Sequence, residues 1–325
     1  FSFYFIEKPF RDKEIQFKKI LTILLLTIIC LISFNYYGIF SEGASSRLPK
    51  DMPQEKLRLK DANFFQKENT QKIVLIGDSH AEALEFHLNE EIKKNDLSLY
   101  SFPTALYLNN FTFSNKKTGK ILKDYSLVNN ELDNFIKENS NLVVILHYRW
   151  SIRFLETYFD NEEGFKEQSK TLYRFILEPT GVKTTSREER EKFIIEALKL
   201  QIENILNRGH KLILVYPVPE MGFHPIRLLY RKYLFEKNFS SNSLPILSGS
   251  YEVYKKRNKL IFKILDSIQN PNIFRVYPHN FFCDTIVKGR CVANDKNKIF
   301  YFDDDHLSTH GSKLVAREIM NKINP

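Results

Sequence analysis

The sequence predicts an α/β fold: a doubly wound parallel sheet of about five strands in three α/β/α layers. Three observations carry that expectation. Short apolar, strand-like runs occur at 72–76, 97–102, 142–148, 211–216 and 273–277. Helix-like periodicity appears near 80–94, 128–139, 187–208, 251–268 and 311–323. The two kinds of segment alternate, and buried strands alternating with helices call for a parallel sheet covered on both faces. Five such strands suit a flavodoxin-like order, in which the site lies at the carboxyl ends of the strands.

The elements follow in chain order. Residues 1–19 are a polar and aromatic prelude. Residues 20–40 contain no charged side chain, and 21 residues at about 1.5 Å each reach roughly 30 Å, the thickness of a bilayer core. A cleaved signal peptide is the competing reading, and the length of the run together with the nineteen residues before it favours a transmembrane helix. Lys8, Arg11, Lys13, Lys18 and Lys19 precede the span against Arg47, Lys50 and Lys56 after it, an asymmetry that favours an inside amino terminus. Residues 41–70 mix small, charged and proline residues and read as a linker or extension, leaving 71–325 as the folded domain. The connections at 151–186 and 217–250 are longer than ordinary loops and lie where substrate recognition would be built. The chain has 325 residues and 43% hydrophobic content, enough for one large domain or two small ones and too little apolar sequence for a multi-pass membrane body.

The first run ends in Gly77-Asp78-Ser79-His80, and Ala81-Glu82-Ala83-Leu84 opens a helix. A serine at a strand-to-helix turn exposes its hydroxyl at the sheet's carboxyl edge. Its N–H sits where the helix dipole favours a developing oxyanion. Far downstream stands Asp303-Asp304-Asp305-His306. A three-residue spacing lets Asp303 and His306 project from one turn, so that the carboxylate holds the imidazole tautomer and the imidazole serves as base. Adjacent acids point in different directions, so one of the three is expected to face the ring, and Asp303 is the choice. Ser79, His306 and Asp303 are therefore the candidate nucleophile, base and orienting acid. His80 and His310 read as supporting or capping groups. The three carboxylates lack the alternating ligands and glycine of a calcium loop, and no metal is expected.

Cys30 lies in the apolar span, and Cys283 and Cys291 form a close pair eight residues apart with Gly289 between them. They read as a short-loop disulfide or as a reduced pair; no second Cys/His pair completes a zinc site. A disulfide and a membrane span agree on a domain outside the cytoplasm. The net charge of +9 comes from lysines scattered over the predicted helix faces, which fits a solvated surface and no nucleic-acid partner.

Together these motifs resemble the SGNH/GDSL hydrolase family, and more narrowly the SGNH domain fused behind the membrane domain of acyltransferase family 3 proteins. Gly77-Asp78-Ser79-His80 and Asp303-x-x-His306-Leu307-Ser308 carry the broad likeness. Phe5-Ile6-Glu7-Lys8-Pro9-Phe10-Arg11 is similar to the end of the acyltransferase family 3 membrane domain. Leu142 to Trp150, Val215-Tyr216-Pro217-Val218-Pro219-Glu220 and the cysteines ahead of Tyr301 carry the narrower one. The resemblance implies an acyl group, usually acetyl, taken by the membrane domain from a cytoplasmic acyl-CoA donor. The SGNH domain would then place it on a carbohydrate hydroxyl of a surface polysaccharide. No cofactor is expected in this domain itself; acetyl-CoA is the upstream donor. The implied partners are the membrane domain of the same polypeptide, the membrane and a glycan acceptor. The implied location is the bacterial inner membrane, with the soluble domain in the periplasm. The chain reads as the carboxyl-terminal piece of a longer protein.

One departure stands out. Such hydrolases complete the oxyanion hole with a glycine and an asparagine, yet Ser101 to Leu106 holds no glycine and Tyr148-Arg149-Trp150 no Gly-x-Asn. Arg149 is a candidate to stabilise negative charge or bind glycan, with pairing to an acid as the alternative. Trp150, the only tryptophan, is a candidate to stack on a sugar, with packing as the alternative. Two other functions share the same features: a membrane-tethered carbohydrate esterase, and a non-catalytic glycan-binding envelope protein.

Overall fold

The structure is a computed structural model that describes residues 17–40 and 64–323, apart from 105, 109–110, 116–120, 124–125, 168–174, 180–185 and 236–243. The chain forms two compact units, 1–54 and 55–325. In the first, helix α1 (Phe17–Phe40) is long and apolar enough over Leu21–Gly38 to cross a membrane. Its leucines and isoleucines, such as Leu24, Ile28 and Ile32, are exposed. The sequence around Phe5–Arg11 and most of the expected 41–70 linker fall outside the described residues.

The second unit is built on five parallel strands: β1 (Lys72–Gly77), β2 (Ser98–Pro103), β5 (Val143–His147), β7 (Lys211–Val215) and β9 (Ile273–Val276). Their order is β2-β1-β5-β7-β9, the doubly wound order that the alternation predicts. The register places Gly77 beside His147 and His147 beside Val215, so three strands end level with one another. Alternate residues of each strand bury on opposite faces. Val74, Ile76, Val144, Leu146, Leu212 and Leu214 pack with helices α3 (Ser126–Glu138), α5 (Arg187–Asn207) and α7 (Tyr251–Asp266) through Leu132, Ile136, Ile194, Leu198, Ile202, Ile261 and Leu265. Helices α2 (Ser79–Lys94) and α9 (Thr309–Ile323) pack on each other and on the strands, burying Leu84, Leu88, Val315 and Ile319. Each buried large aliphatic side chain of this kind stabilises by about 1.5–3 kcal/mol against its exposed state.

Residues 65–70, the end of the stretch expected as a linker or extension, run as an extension along β2. The Leu99 N–H donates to the Phe65 carbonyl at 2.9 Å, and the Lys67 N–H to Ser98 Oγ at 2.7 Å, tying this stretch to β2. The connections between the sheet strands also hold structure that periodicity did not predict. β3 (Phe111–Asn115), β4 (Ile121–Lys123) and β6 (Phe175–Pro179) form a separate antiparallel sheet in the order β4-β3-β6. Short helices α4 (Trp150–Leu155) and α6 (Pro225–Phe235) occupy the connections after β5 and β7. Strand β8 (Ser248–Ser250) pairs with β10 (Arg290–Val292), and the short helix α8 (His279–Phe282) follows β9. Cys283 and Cys291 are joined in a disulfide that closes the loop between α8 and β10.

Candidate active site

Gly77 ends β1 against the neighbouring strand. A Cβ there would lie 1.8 Å from the His147 carbonyl oxygen and 2.4 Å from the Ala81 Cβ, so only glycine allows this strand-to-helix turn. Asp78 then caps α2, its carboxylate accepting from the His80 N–H at 3.1 Å. The same carboxylate accepts from the Arg149 N–H at 3.1 Å and from Arg153 Nη2 at 2.9 Å. Burial would raise the Asp78 pKa, but Arg153 and His80 outweigh it and hold the carboxyl below its usual range. Asp78 thus fastens the turn after β1 to the turn after β5. Ser79, the first residue of α2, stands part-exposed above that joint.

Asp303 shapes the second turn. Its Oδ1 accepts from the Asp305 N–H at 3.1 Å and from the His306 N–H at 2.8 Å, an aspartate closing a tight turn on its own backbone. Ser308 then caps α9, accepting from the His310 and Gly311 N–H groups. The structure brings Ser79, His306 and Asp303 together across 227 residues of sequence. Ser79 Oγ lies 2.7 Å from His306 Nε2, and His306 Nδ1 lies 2.9 Å from Asp303 Oδ2.

The expectation that a single acid faces the imidazole is corrected. Asp305 Oδ1 also lies 2.9 Å from His306 Nδ1. Residues two apart on a tight turn can both project to one side, and Asp303 and Asp305 both reach the ring. Burial and the neighbouring Asp305 and Asp303 carboxylates raise Asp304 to about 6. Asp305 is buried, and its other oxygen meets His80 Nε2 at 3.1 Å and Arg149 Nε at 3.0 Å. Burial opposes the charge on Asp305, yet Arg149, His306 and His80 hold its pKa well below the usual range. For His306, burial alone would lower the pKa. Hydrogen bonds and charge from Asp303 and Asp305 outweigh it and raise the ring to about 10. Beneath them His147 is buried at the end of β5, and burial lowers it to about 3, so it is neutral.

Arg149 and Trp150 do not sit as substrate-binding groups would. The Arg149 guanidinium is bound by Glu167 at 2.6 Å, Glu220 at 2.5 Å and Asp305. Its N–H serves Asp78, so neither part is free to replace a missing oxyanion donor. Trp150 is 0% exposed, donates from Nε1 to the Val215 carbonyl at 2.9 Å and packs edge-on against Tyr148; stacking on a sugar is excluded in this arrangement. Glu220 also pairs with Arg257 of α7, so Asp305, Arg149, Glu220 and Arg257 alternate in sign through the interior. Sequence reasoning missed Asp305, Asp78 and Glu220 as site residues. Asp305 had a signal in its two-residue offset from Asp303, and Asp78 in its place at the cap; Glu220 had none in spacing.

Among the described residues, two groups bring ligand-type atoms within 4.8 Å of one another: His80, Asp305 and His306, and Asp303, Asp304 and Asp305. In the first, the Asp305 carboxylate is already paired with Arg149, His80 and His306; in the second, Asp303 and Asp305 both meet His306, and burial with these neighbouring carboxylates raises the Asp304 pKa.

With this geometry in hand, the likenesses are informative. A family model described as "SGNH domain (fused to AT3 domains)" matches residues 48–321. No curated protein matches the chain. Among solved structures, the periplasmic domain of the Salmonella ser. Paratyphi A lipopolysaccharide acetyltransferase is similar in fold, with a TM-score of 0.50 and 19% identity over 90% of this chain and 96% of that one.

Proposed function

The chain belongs to the SGNH domains that are fused to AT3 domains, and on that premise we propose that it transfers an acyl group to a carbohydrate hydroxyl through an acyl-serine at Ser79. His306 Nε2, 2.7 Å from Ser79 Oγ, takes the hydroxyl proton as Oγ bonds to the acyl carbonyl carbon. Asp303 keeps Nδ1 protonated and the ring oriented, and Asp305 braces the same edge from the interior. The Ser79 N–H at the start of α2 donates to the carbonyl oxygen as it gains charge. Collapse expels the donor's leaving group, which takes the proton from His306. A sugar hydroxyl then gives its proton to His306 and attacks the acyl-serine, and Ser79 Oγ leaves with the proton from His306 Nε2 as the acyl sugar forms.

In this reading the acyl group is acetyl, drawn from acetyl-CoA by the membrane domain of the same polypeptide, and the acceptor is a bacterial surface polysaccharide. The domain works in the periplasm, tethered at the inner membrane through α1. The similar fold of a lipopolysaccharide acetyltransferase domain supports the choice of acceptor class. The single observation that carries the proposal is the continuous contact from Ser79 through His306 to Asp303.

Acceptor partitioning tests it. The full chain in detergent, given p-nitrophenyl acetate and envelope polysaccharide, is expected to deposit acetyl on the glycan. Ser79→Ala is expected to abolish both transfer and hydrolysis. Hydrolysis alone, whatever glycan is offered, would make the protein an esterase; an unchanged rate in Ser79→Ala would end the serine mechanism.

A further inference from the structure

A concavity of about 560 Å³ opens along α7 where α8 meets it. Tyr251, Tyr254, Lys255, Lys259 and Phe262 of α7 line it together with His279 of α8. None of these residues takes part in the contacts around Ser79. The volume lies within the range of small-ligand sites, roughly 300–1,000 Å³, and the lining has their usual character of ring faces with a few polar groups.

The rings form one connected cluster. Tyr251 and Tyr254 stack at 5.9 Å, and His279 lies 5.5 Å from both Tyr254 and Phe262. Tyr254 is buried, whereas Tyr251, Phe262 and His279 are half-buried and present part of their rings to the cleft. His279 Nδ1 is buried without a hydrogen-bond partner among the described residues, and burial lowers the pKa of this ring, keeping it neutral.

The polar groups are mostly cationic. Lys255, Lys256 and Lys259 line the cleft against a single acid, Glu252. Lys255 pairs with Glu252 and sits 4.9 Å over the Tyr251 ring, and Lys256 reaches Glu162 at 2.7 Å. Lys259 has no ion pair among the described residues. An exposed ammonium beside half-buried rings matches a ligand that offers a C–H face and an anionic group together.

The cleft also faces the same end of the sheet as Ser79. Tyr254 Oη donates to the carbonyl of Pro217, just past the carboxyl end of β7, and His279 follows the carboxyl end of β9. With β5 and β7 between β1 and β9, three strand spacings separate their ends, about 14 Å.

We propose that this cleft binds an acidic sugar residue of the acceptor polysaccharide, a few rings along the chain from the hydroxyl that is acylated; the acceptor role rests on the acyl-transfer reading above. The sugar's apolar face lies on Tyr251 and Phe262, and its carboxylate accepts from Lys259 and Lys255.

Calorimetry on the full chain in detergent tests the cleft, with tetragalacturonate as the acidic probe and maltotetraose as its neutral counterpart. Tetragalacturonate is expected to bind, to weaken as salt rises, and to bind at least about tenfold more tightly than maltotetraose. Tyr251→Ala and Lys259→Glu are each expected to weaken it about three- to tenfold. Both variants keep the rate of Ser79 acetylation by p-nitrophenyl acetate, and both raise KM for a glycan acceptor more than they lower kcat. The proposal is overturned if tetragalacturonate does not bind, if maltotetraose binds as well, if neither substitution weakens binding, or if anionic phospholipid vesicles bind in its place. Binding with the expected pattern in a protein whose Ser79 never acylates would keep the cleft and remove the acyl-transfer reading instead.

Discussion

The sheet and the charged interior above its carboxyl end are both buried, but opposite physics holds them. In the sheet, Val74, Leu75, Ile145 and Leu214 are fully buried aliphatics whose backbone groups are satisfied along the ladder. Above it, Asp305, Arg149, Glu220 and Arg257 are ions removed from water and compensated by one another and by Glu167, His80 and His306. Aliphatic packing tolerates substitution in proportion to lost volume. A buried ion tolerates the loss of its partner poorly, because the charge left behind has no solvent. The robust layer therefore carries the fold, and the fragile one holds the base at its place.

The largest expected effect falls on chemistry rather than on either layer. His306→Ala is expected to lower acyl transfer by about 10⁴–10⁶-fold while leaving the far-ultraviolet circular dichroism unchanged. Next come the two layers themselves. Arg149→Met takes a cation from the buried carboxylates of Glu220 and Asp305 and from Glu167, and is expected to cost about 3–5 kcal/mol in denaturant unfolding. Adding Glu220→Gln to it should return part of that loss, a coupling of about 0.5–3 kcal/mol. Leu75→Ala is expected to cost about 2–5 kcal/mol, with no rescue by any charge change. Additive behaviour of Arg149→Met and Glu220→Gln would erase the distinction between the layers. A smaller effect is expected from Cys283→Ser with Cys291→Ser. The bridge closes a short loop, so its loss should cost about 2–3 kcal/mol through the unfolded chain.

The smallest expected effect is the most specific. His306 has its pKa raised from 6.5 to about 10, so the neutral ring that accepts the Ser79 proton grows as pH rises through that value. The rate of acyl transfer should climb on the alkaline side. The sign for stability is opposite: a raised folded-state pKa stabilises fully below about 6.5, and that contribution is lost as pH rises through about 10. Asp305→Asn removes one of the two charges on Nδ1 and should move the activity limb down by on the order of one unit. A limb that stays in place would mean that Asp303 alone sets the ring.

This division between layers also explains what was legible in the sequence. The five strands and their helices lie within a few residues of where periodicity puts them, because hydrophobic repeats report burial directly. The strand-to-helix turn at Gly77 was readable for the same local reason. The small β4-β3-β6 sheet was not, since its partners Phe111 and Pro179 are far apart in sequence and its strands are short. Trp150 was open to two readings because composition says nothing about which way a lone ring turns; its bond to the Val215 carbonyl settles it inside the protein. Arg149 was likewise ambiguous until Glu167 and Glu220 arrived from two separate connections. Asp305 was passed over because neighbouring acids in a turn look equivalent on paper, and only the fold of 303–306 turns two of them to one ring.

The central claim is that Ser79 carries the acyl group. Mass spectrometry of peptides from the full chain, quenched in acid soon after mixing with p-nitrophenyl acetate, tests it most directly. Acetyl is expected on the peptide bearing Ser79, absent from His306→Ala and discharged when glycan is added before the quench. Equal labelling in His306→Ala, or acetyl found only elsewhere during productive transfer, would contradict it.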